Sequence, residues 1–150
     1  MYGRPASSAG SVDAWLDALD GLRRIDLRTL HEHVLAIAPS LAGSARVERQ
    51  FLAYGRYGYH YSSGRTGDWF PFALASNAQD IAVYGPPNLG IETVAEGLPK
   101  ARLGRGCIRF KRVADIDLAA LDDLIRAAAD ADGKRFTWAK DGSFTTEPLA

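Results

Sequence analysis

Residues Phe51–Trp69 read F-L-A-Y-G-R-Y-G-Y-H-Y-S-S-G-R-T-G-D-W, and this stretch decides the fold. It holds four of the six tyrosines, two arginines and four glycines. The order predicts a strand over Phe51–Ser62, a tight turn at Ser-Ser-Gly-Arg-Thr-Gly, and the start of a returning strand. Alternation puts Phe51, Ala53, Gly55, Tyr57, Tyr59 and Tyr61 on one face and Leu52, Tyr54, Arg56, Gly58, His60 and Ser62 on the other. Neither face is purely apolar. A tyrosine has an apolar ring and a polar tip, which suits a sheet face that is partly wet or covered by a ligand. Gly55 and Gly58 weaken a strand unless a bulge or a close approach requires them. Gly64 and Gly67 give the turn its freedom, with Arg65 at the tip and Asp68 able to bond the turn backbone.

Working outward, the 150-residue chain is the size of one domain. It is 47% hydrophobic and 24% charged, enough for a core and against global disorder. Eighteen basic and eighteen acidic residues cancel, which argues against a nucleic-acid partner held by bulk charge. Cys107 is the only cysteine, so no disulfide forms within the chain. No apolar run reaches membrane-spanning length and no signal-peptide core opens the sequence, so a cytoplasmic location with no membrane partner is expected. Oligomeric state is open.

Residues 1–10 are small and polar and read as a flexible N-terminus. From Val12, Trp15, Leu16, Leu19 and Leu22 share one helical side, with Ser11 as the cap and Gly21 as a stop or kink. A second helix from Asp26 buries Leu27, Leu30, Val34, Ile37 and Leu41 and closes at Pro39. Trp69–Ala75 returns toward the first strand, and Pro71 confines it to an edge or a bulge. Gln79–Tyr84 is a third strand, Ile91–Leu98 a short helix and Pro99–Gly106 a basic loop. Cys107–Arg112 alternates, with Ile108 and Phe110 inward and Cys107, Arg109 and Lys111 outward. A last helix carries Leu118, Leu121, Leu124 and Ile125, and Gly133 ends it. Asp141-Gly142 predicts a type I′ hairpin in the 133–150 tail. The expected fold is α+β: an antiparallel sheet of about four or five strands packed on N- and C-terminal helices, with the domain over 11–132 and the tail as an extension.

Three pieces together, the helix pair, Y-H-Y-S-S-G-R-T-G-D-W-F with N-A-Q-D-I-A-V-Y, and L-G-R-G-C-I-R-F-K-R-V-A-D-I-D-L-A-A-L-D-D-L-I, resemble the YdhG-like family of domains of unknown function. The resemblance spans roughly 11–129. It implies a sheet-and-helix fold distantly like frataxin, no established reaction, and for one branch a role as iron chaperones.

The chemistry has four candidate sources. Asp13, Asp17 and Asp20 fall at i, i+4 and i+7 of the first helix, a weak site for a hard cation such as iron; the plainer reading is a solvated acidic face. His31-Glu32-His33 lacks the spacing of a zinc protease signature, since position 35 is Leu35. Cys107 lies among Arg105, Arg109 and Lys111, which favour a thiolate, and His60 is the only strand-borne base; the plainer reading is an inert thiol. The preferred site is a sheet-face pocket of Tyr59, His60, Tyr61, Arg65, Asp68, Trp69, Arg105, Cys107, Arg109 and Lys111. Guanidinium groups there would take carboxylate or phosphate while aromatic faces stack on a planar ligand. With no phosphate loop, dinucleotide fingerprint or catalytic carboxylate pair, an enzyme is the minority reading. A binding module for a small anionic or aromatic molecule, or for a protein partner, leads; a frataxin-like iron chaperone is the rival. No cofactor is expected beyond that iron.

Overall fold

The computed structural model describes residues 8–149. The expected flexible N-terminus falls largely on residues 1–7, outside the described residues. Helices α1 (Ser8–Asp17) and α2 (Gly21–Ile37) lead through a 3-10 turn at Pro39–Ser44 to strand β1 (Arg46–Glu48). Four strands follow: β2 (Phe51–Tyr54), β3 (Tyr57–His60), β4 (Thr66–Trp69) and β5 (Phe72–Ser76). Then come β6 (Ile81–Tyr84), the short helix α3 (Ile91–Ala95), β7 (Arg102–Gly104) and β8 (Cys107–Phe110). Helix α4 (Asp122–Ala131) and the hairpin of β9 (Lys134–Trp138) and β10 (Phe144–Pro148) close the chain.

The fold is α+β, as expected, but its strands form two sheets rather than one. Six strands run in the order β1-β2-β5-β6-β8-β7, all antiparallel; four run in the order β10-β9-β3-β4. The expected basic loop over 99–106 contains β7, the outermost strand of the larger sheet. Alternation gives that sheet a helix-facing side of Leu52, Tyr54, Phe72, Leu74, Ile81, Val83, Ile108 and Phe110, which packs on Leu16, Leu27, Leu30, Val34, Leu124 and Ile125. Fully burying one such side chain contributes about 1.5–3 kcal/mol, so this one core dominates stability. The 133–150 segment is no appendage. β9 pairs parallel with β3 from Gly58 opposite Arg135 to His60 opposite Thr137, and Phe136 is buried.

The expected single strand over 51–62 is broken. Residue pairing in β2–β5 and β3–β4 keeps one register, from Leu52 opposite Leu74 through Tyr57 opposite Trp69 to His60 opposite Thr66. It is therefore one long hairpin bent between two sheets, interrupted where Gly55-Arg56 face Phe70-Pro71. Gly55 sits at φ +76°, and a Cβ on it would lie 2.8 Å from Pro71 Cγ and 2.9 Å from Asp132 Oδ1. The backbone groups released by the bend find other partners, as buried groups must. Gly55 N–H donates to Ser44 Oγ (2.8 Å) and its carbonyl accepts from Arg46 Nη2 (2.9 Å). Arg56 N–H donates to Asp132 Oδ1 (2.9 Å), and its carbonyl accepts from Gly133 N–H (2.8 Å). Pro71 has no N–H to lose, which is why a proline is tolerated opposite the bend.

The helices shift in detail. α1 begins at Ser8, ahead of the expected cap at Ser11, and ends at Asp17. Gly21, at φ +37°, starts α2, so Leu22 leaves the buried stripe and is exposed. Asp26 is not a cap. It is buried one turn into α2, where its two oxygens accept from Arg112 Nε (2.6 Å) and Nη2 (3.1 Å), with Val113 N–H at 3.1 Å.

Candidate functional site

The parallel pairing of β3 with β9 sets two hairpin tips side by side at one end of the small sheet. Both tips are built alike. Tyr61 N–H donates to Arg65 O and Gly64 N–H to Tyr61 O; Ala139 N–H donates to Ser143 O and Gly142 N–H to Ala139 O. Gly64 at φ +92° and Gly142 at φ +89° supply the left-handed position of a three-residue loop. The Asp141-Gly142 hairpin thus exists, but as this longer loop rather than as the expected type I′ turn.

One face of this sheet is a row of aromatic rings. Tyr57, Tyr59 and Tyr61 alternate along β3 and its end, with ring centres 6.4 and 5.1 Å apart. Tyr61 passes to Trp138 (5.4 Å), which stacks on Phe136 (5.4 Å, 21° between planes) and meets Phe144 (5.8 Å). Tyr59 lies across Gly67 of the neighbouring strand; a Cβ there would stand 2.7 Å from its Cζ. The missing side chain of Gly67 is what lets the ring lie flat against the sheet. Tyr61 and Phe144 remain exposed, while Tyr57, Tyr59, Trp69 and Trp138 are half-buried. Burial, then the neighbouring Tyr61 and Tyr59, push the Tyr57 hydroxyl up to about 12, so it stays protonated as a donor.

On the β3–β4 side these rings wall a hollow of about 610 Å³, lined by Tyr57, Tyr59, Tyr61, Trp69, Asp68, Gly67 and two arginines, Arg49 and Arg65. Arg49 places its guanidinium 5.5 Å from the Trp69 ring centre. It does so from the turn between β1 and β2, where Arg49 (φ +55°) and Gln50 (φ +71°) both occupy the left-handed region. Glu48 opposite Phe51 closes this two-residue turn, whose geometry favours Asn-Gly. Two non-glycine residues held there carry strain, and strain of this kind gathers where function needs it. We expect Arg49→Asn with Gln50→Gly to raise stability by about 1 kcal/mol, read from denaturant midpoints, while removing a cation from the hollow.

Sequence reasoning missed Arg49 and left Tyr57 out of the site. Nothing in R-V-E-R-Q marks a turn, so Arg49 carried no signal; Tyr57 could have been found, since it shares the alternating face of Tyr59 and Tyr61. The structure brings together Tyr59, Tyr61, Arg65, Asp68 and Trp69 as expected. His60 points to the opposite, exposed side, paired with Thr66 and Thr137.

The other half of the expected pocket lies elsewhere. Arg109 belongs to β8 of the larger sheet and lines, with Lys111, a different hollow of about 180 Å³. Arg105 is exposed in the turn between β7 and β8. Cys107 faces away from the helices, as expected, yet is fully buried; a Cβ on Gly104 would stand 2.7 Å from both its Sγ and Arg109 Nε. It is out of reach of His60, which sits on the other sheet. The convergence of tyrosines with Arg109 and Lys111 on one sheet is therefore corrected: the hairpin bends into a second sheet and carries the tyrosines with it.

The acidic trio also separates. α1 ends at Asp17, and Asp20 stands at the N-terminus of α2. Asp17 pairs with Arg28 at 2.9 Å and Asp13 with the same arginine at 3.6 Å. Among the described residues no group of three or more His, Cys, Asp or Glu side chains is arranged to hold a metal ion. The two histidines of α2 diverge, as their spacing implies: His31 Nδ1 meets the buried Tyr54 hydroxyl (2.6 Å) and His33 Nε2 meets Asp122 Oδ1 (2.7 Å).

No family model matches the sequence, and neither a curated protein nor a solved structure matches it. Among the described residues no helix is long and apolar enough to cross a membrane.

Proposed function

We propose that this chain is a binding module whose small ligand is a planar ring system bearing a carboxylate or phosphate, laid against the tyrosine face of the small sheet. The observation that carries the reading is the hollow in which partly exposed rings and two arginines meet. Its volume of about 610 Å³ falls within the range of small-molecule sites, roughly 300–1,000 Å³, which favours a small ligand over a protein partner. Tyr59 and Trp69 offer stacking faces, and Arg49 and Arg65 offer forked donors for a planar anion. Asp68 borders the hollow from the edge strand, but it stands opposite Gly58 on the His60 side and turns its carboxylate to Arg56 (3.4 Å), so the ligand's charge is met by Arg49 and Arg65. The frataxin-like alternative has less support, because Asp13 and Asp17 already share one counter-charge, Arg28, and Asp20 stands apart from them on the next helix. A cytoplasmic home belongs to the same proposal and rests on a chain whose one cysteine leaves no internal disulfide.

A thermal-shift and calorimetric screen of planar aromatic carboxylates and phosphates tests the proposal. Hits should bind the double variant Arg49→Ala/Arg65→Ala at least about tenfold more weakly, and Tyr59→Ala more weakly by a similar factor, since stacking on an aromatic ring contributes about 1–3 kcal/mol. A screen with no hit, or hits indifferent to all three substitutions, removes the reading.

A further inference from the structure

The smaller hollow, of about 180 Å³, lies at the far edge of the larger sheet. Lys100, Arg102, Arg109 and Lys111 line it against two carboxylates, Asp80 and Asp115, a surplus of two positive charges. Asp80 is buried and organises the wall. It accepts from Arg102 Nη2 (2.8 Å) and Arg109 Nη1 (3.1 Å), which come from adjacent strands, and from Asn77 Nδ2 (3.1 Å). Burial pushes this carboxyl up, but Asn77, Arg109 and Arg102 outweigh it and hold it below its usual range, so it stays charged. Each guanidinium spends one nitrogen on Asp80 and keeps the rest of its fork free. Asp115 is turned to its own cap, accepting from Arg112 N–H (3.2 Å). Lys100 and Lys111 form no ion pair among the described residues.

Two arginines clamped by a buried carboxylate have already lost much of their side-chain freedom, so an oxyanion that binds them orders less on arrival. Two unpaired ammonium groups complete the charge. We propose that this hollow binds a phosphate-class dianion, such as the phosphoryl end of a small phosphomonoester, independently of the aromatic face. The site is small enough to enclose the phosphoryl group and leaves the rest of the molecule outside.

The test is a titration of the full chain with inorganic phosphate at constant ionic strength, followed by amide resonances, with chloride as control. Saturable movement of residues 100–102 and 109–111 is expected, weakening as salt rises. The variant Lys100→Ala/Lys111→Ala, which breaks no ion pair and so keeps the fold, should bind at least about tenfold more weakly. The variant Arg49→Ala/Arg65→Ala should bind as the parent does. Glycerol phosphate and vesicles containing phosphatidic acid, run in parallel, separate a soluble ester from a lipid headgroup, and binding of either supports phosphoryl recognition. Phosphate that moves these amides no more than chloride does, or that binds the double lysine variant undiminished, overturns the proposal.

Discussion

Replacing Gly55 with alanine is expected to cost about 3 kcal/mol and to loosen the small sheet from the large one. Two effects add. An alanine at φ +76° costs about 1 kcal/mol relative to glycine. Its Cβ would also stand 2.8 Å from Pro71 Cγ and 2.9 Å from Asp132 Oδ1, closer than real contacts allow, and overpacking costs about 1–3 kcal/mol. Neither neighbour gives way cheaply: Pro71 is a buried ring, and Asp132 Oδ1 receives Arg56 N–H. Gly64→Ala separates the two effects. Gly64 has φ +92° with open space around its Cα, so that variant should lose only about 1 kcal/mol. Denaturant midpoints compare them. Equal losses would mean that the bend is not sterically fixed.

Asp26→Ala should be about as damaging, near 3 kcal/mol, by a different route. Asp26 is 4% exposed and accepts three hydrogen bonds, two from Arg112 and one from Val113 N–H. Its removal leaves the Val113 N–H and one side of a guanidinium without partners. Arg112 is 41% exposed and recovers some hydration, which keeps the loss at the lower end for a broken buried pair. The hydrogen bonds from Arg112 hold the Asp26 carboxyl below its usual value of 3.8. Below that value the unfolded chain binds the proton more readily than the folded one, so stability falls as pH drops. The contribution is fully present above about pH 4 and is lost as pH falls through the depressed folded value. The gap between parent and variant should therefore be wide at pH 7 and narrow by pH 2.

Where side-chain period and glycine placement decide a structure, the sequence was legible. The stripe of Leu27, Leu30 and Val34, the inward Ile108 and Phe110, and the hairpin partnership of the tyrosine strand with Trp69 all stand. The two-sheet division was half legible. Gly55 and Pro71 are each a local sign of irregularity, but only their register, each opposite the other, turns two local signals into one bend. That register depends on the loop length at Ser62–Gly64, which alternation alone does not fix. The parallel pairing of β3 with β9 joins residues more than seventy positions apart and leaves no local signature. For the site, the rings are legible because tyrosines at alternate positions share a face. Arg49 is not legible, because its role depends on a strained turn, and alternation brings Arg109 and Lys111 to the tyrosines only if all the strands share one sheet.

A planar anion laid on the tyrosine face beside Trp69, as proposed, would be read directly by indole resonances. The chain has three tryptophans: Trp15 on α1, Trp69 in the hollow's wall and Trp138 farther along the aromatic row. Titrating the full chain with a planar anionic hit should move the Trp69 indole N–H strongly and saturably and Trp138 less, with Trp15 unchanged. A ligand that binds while leaving Trp69 in place, or that moves all three alike, would contradict that placement.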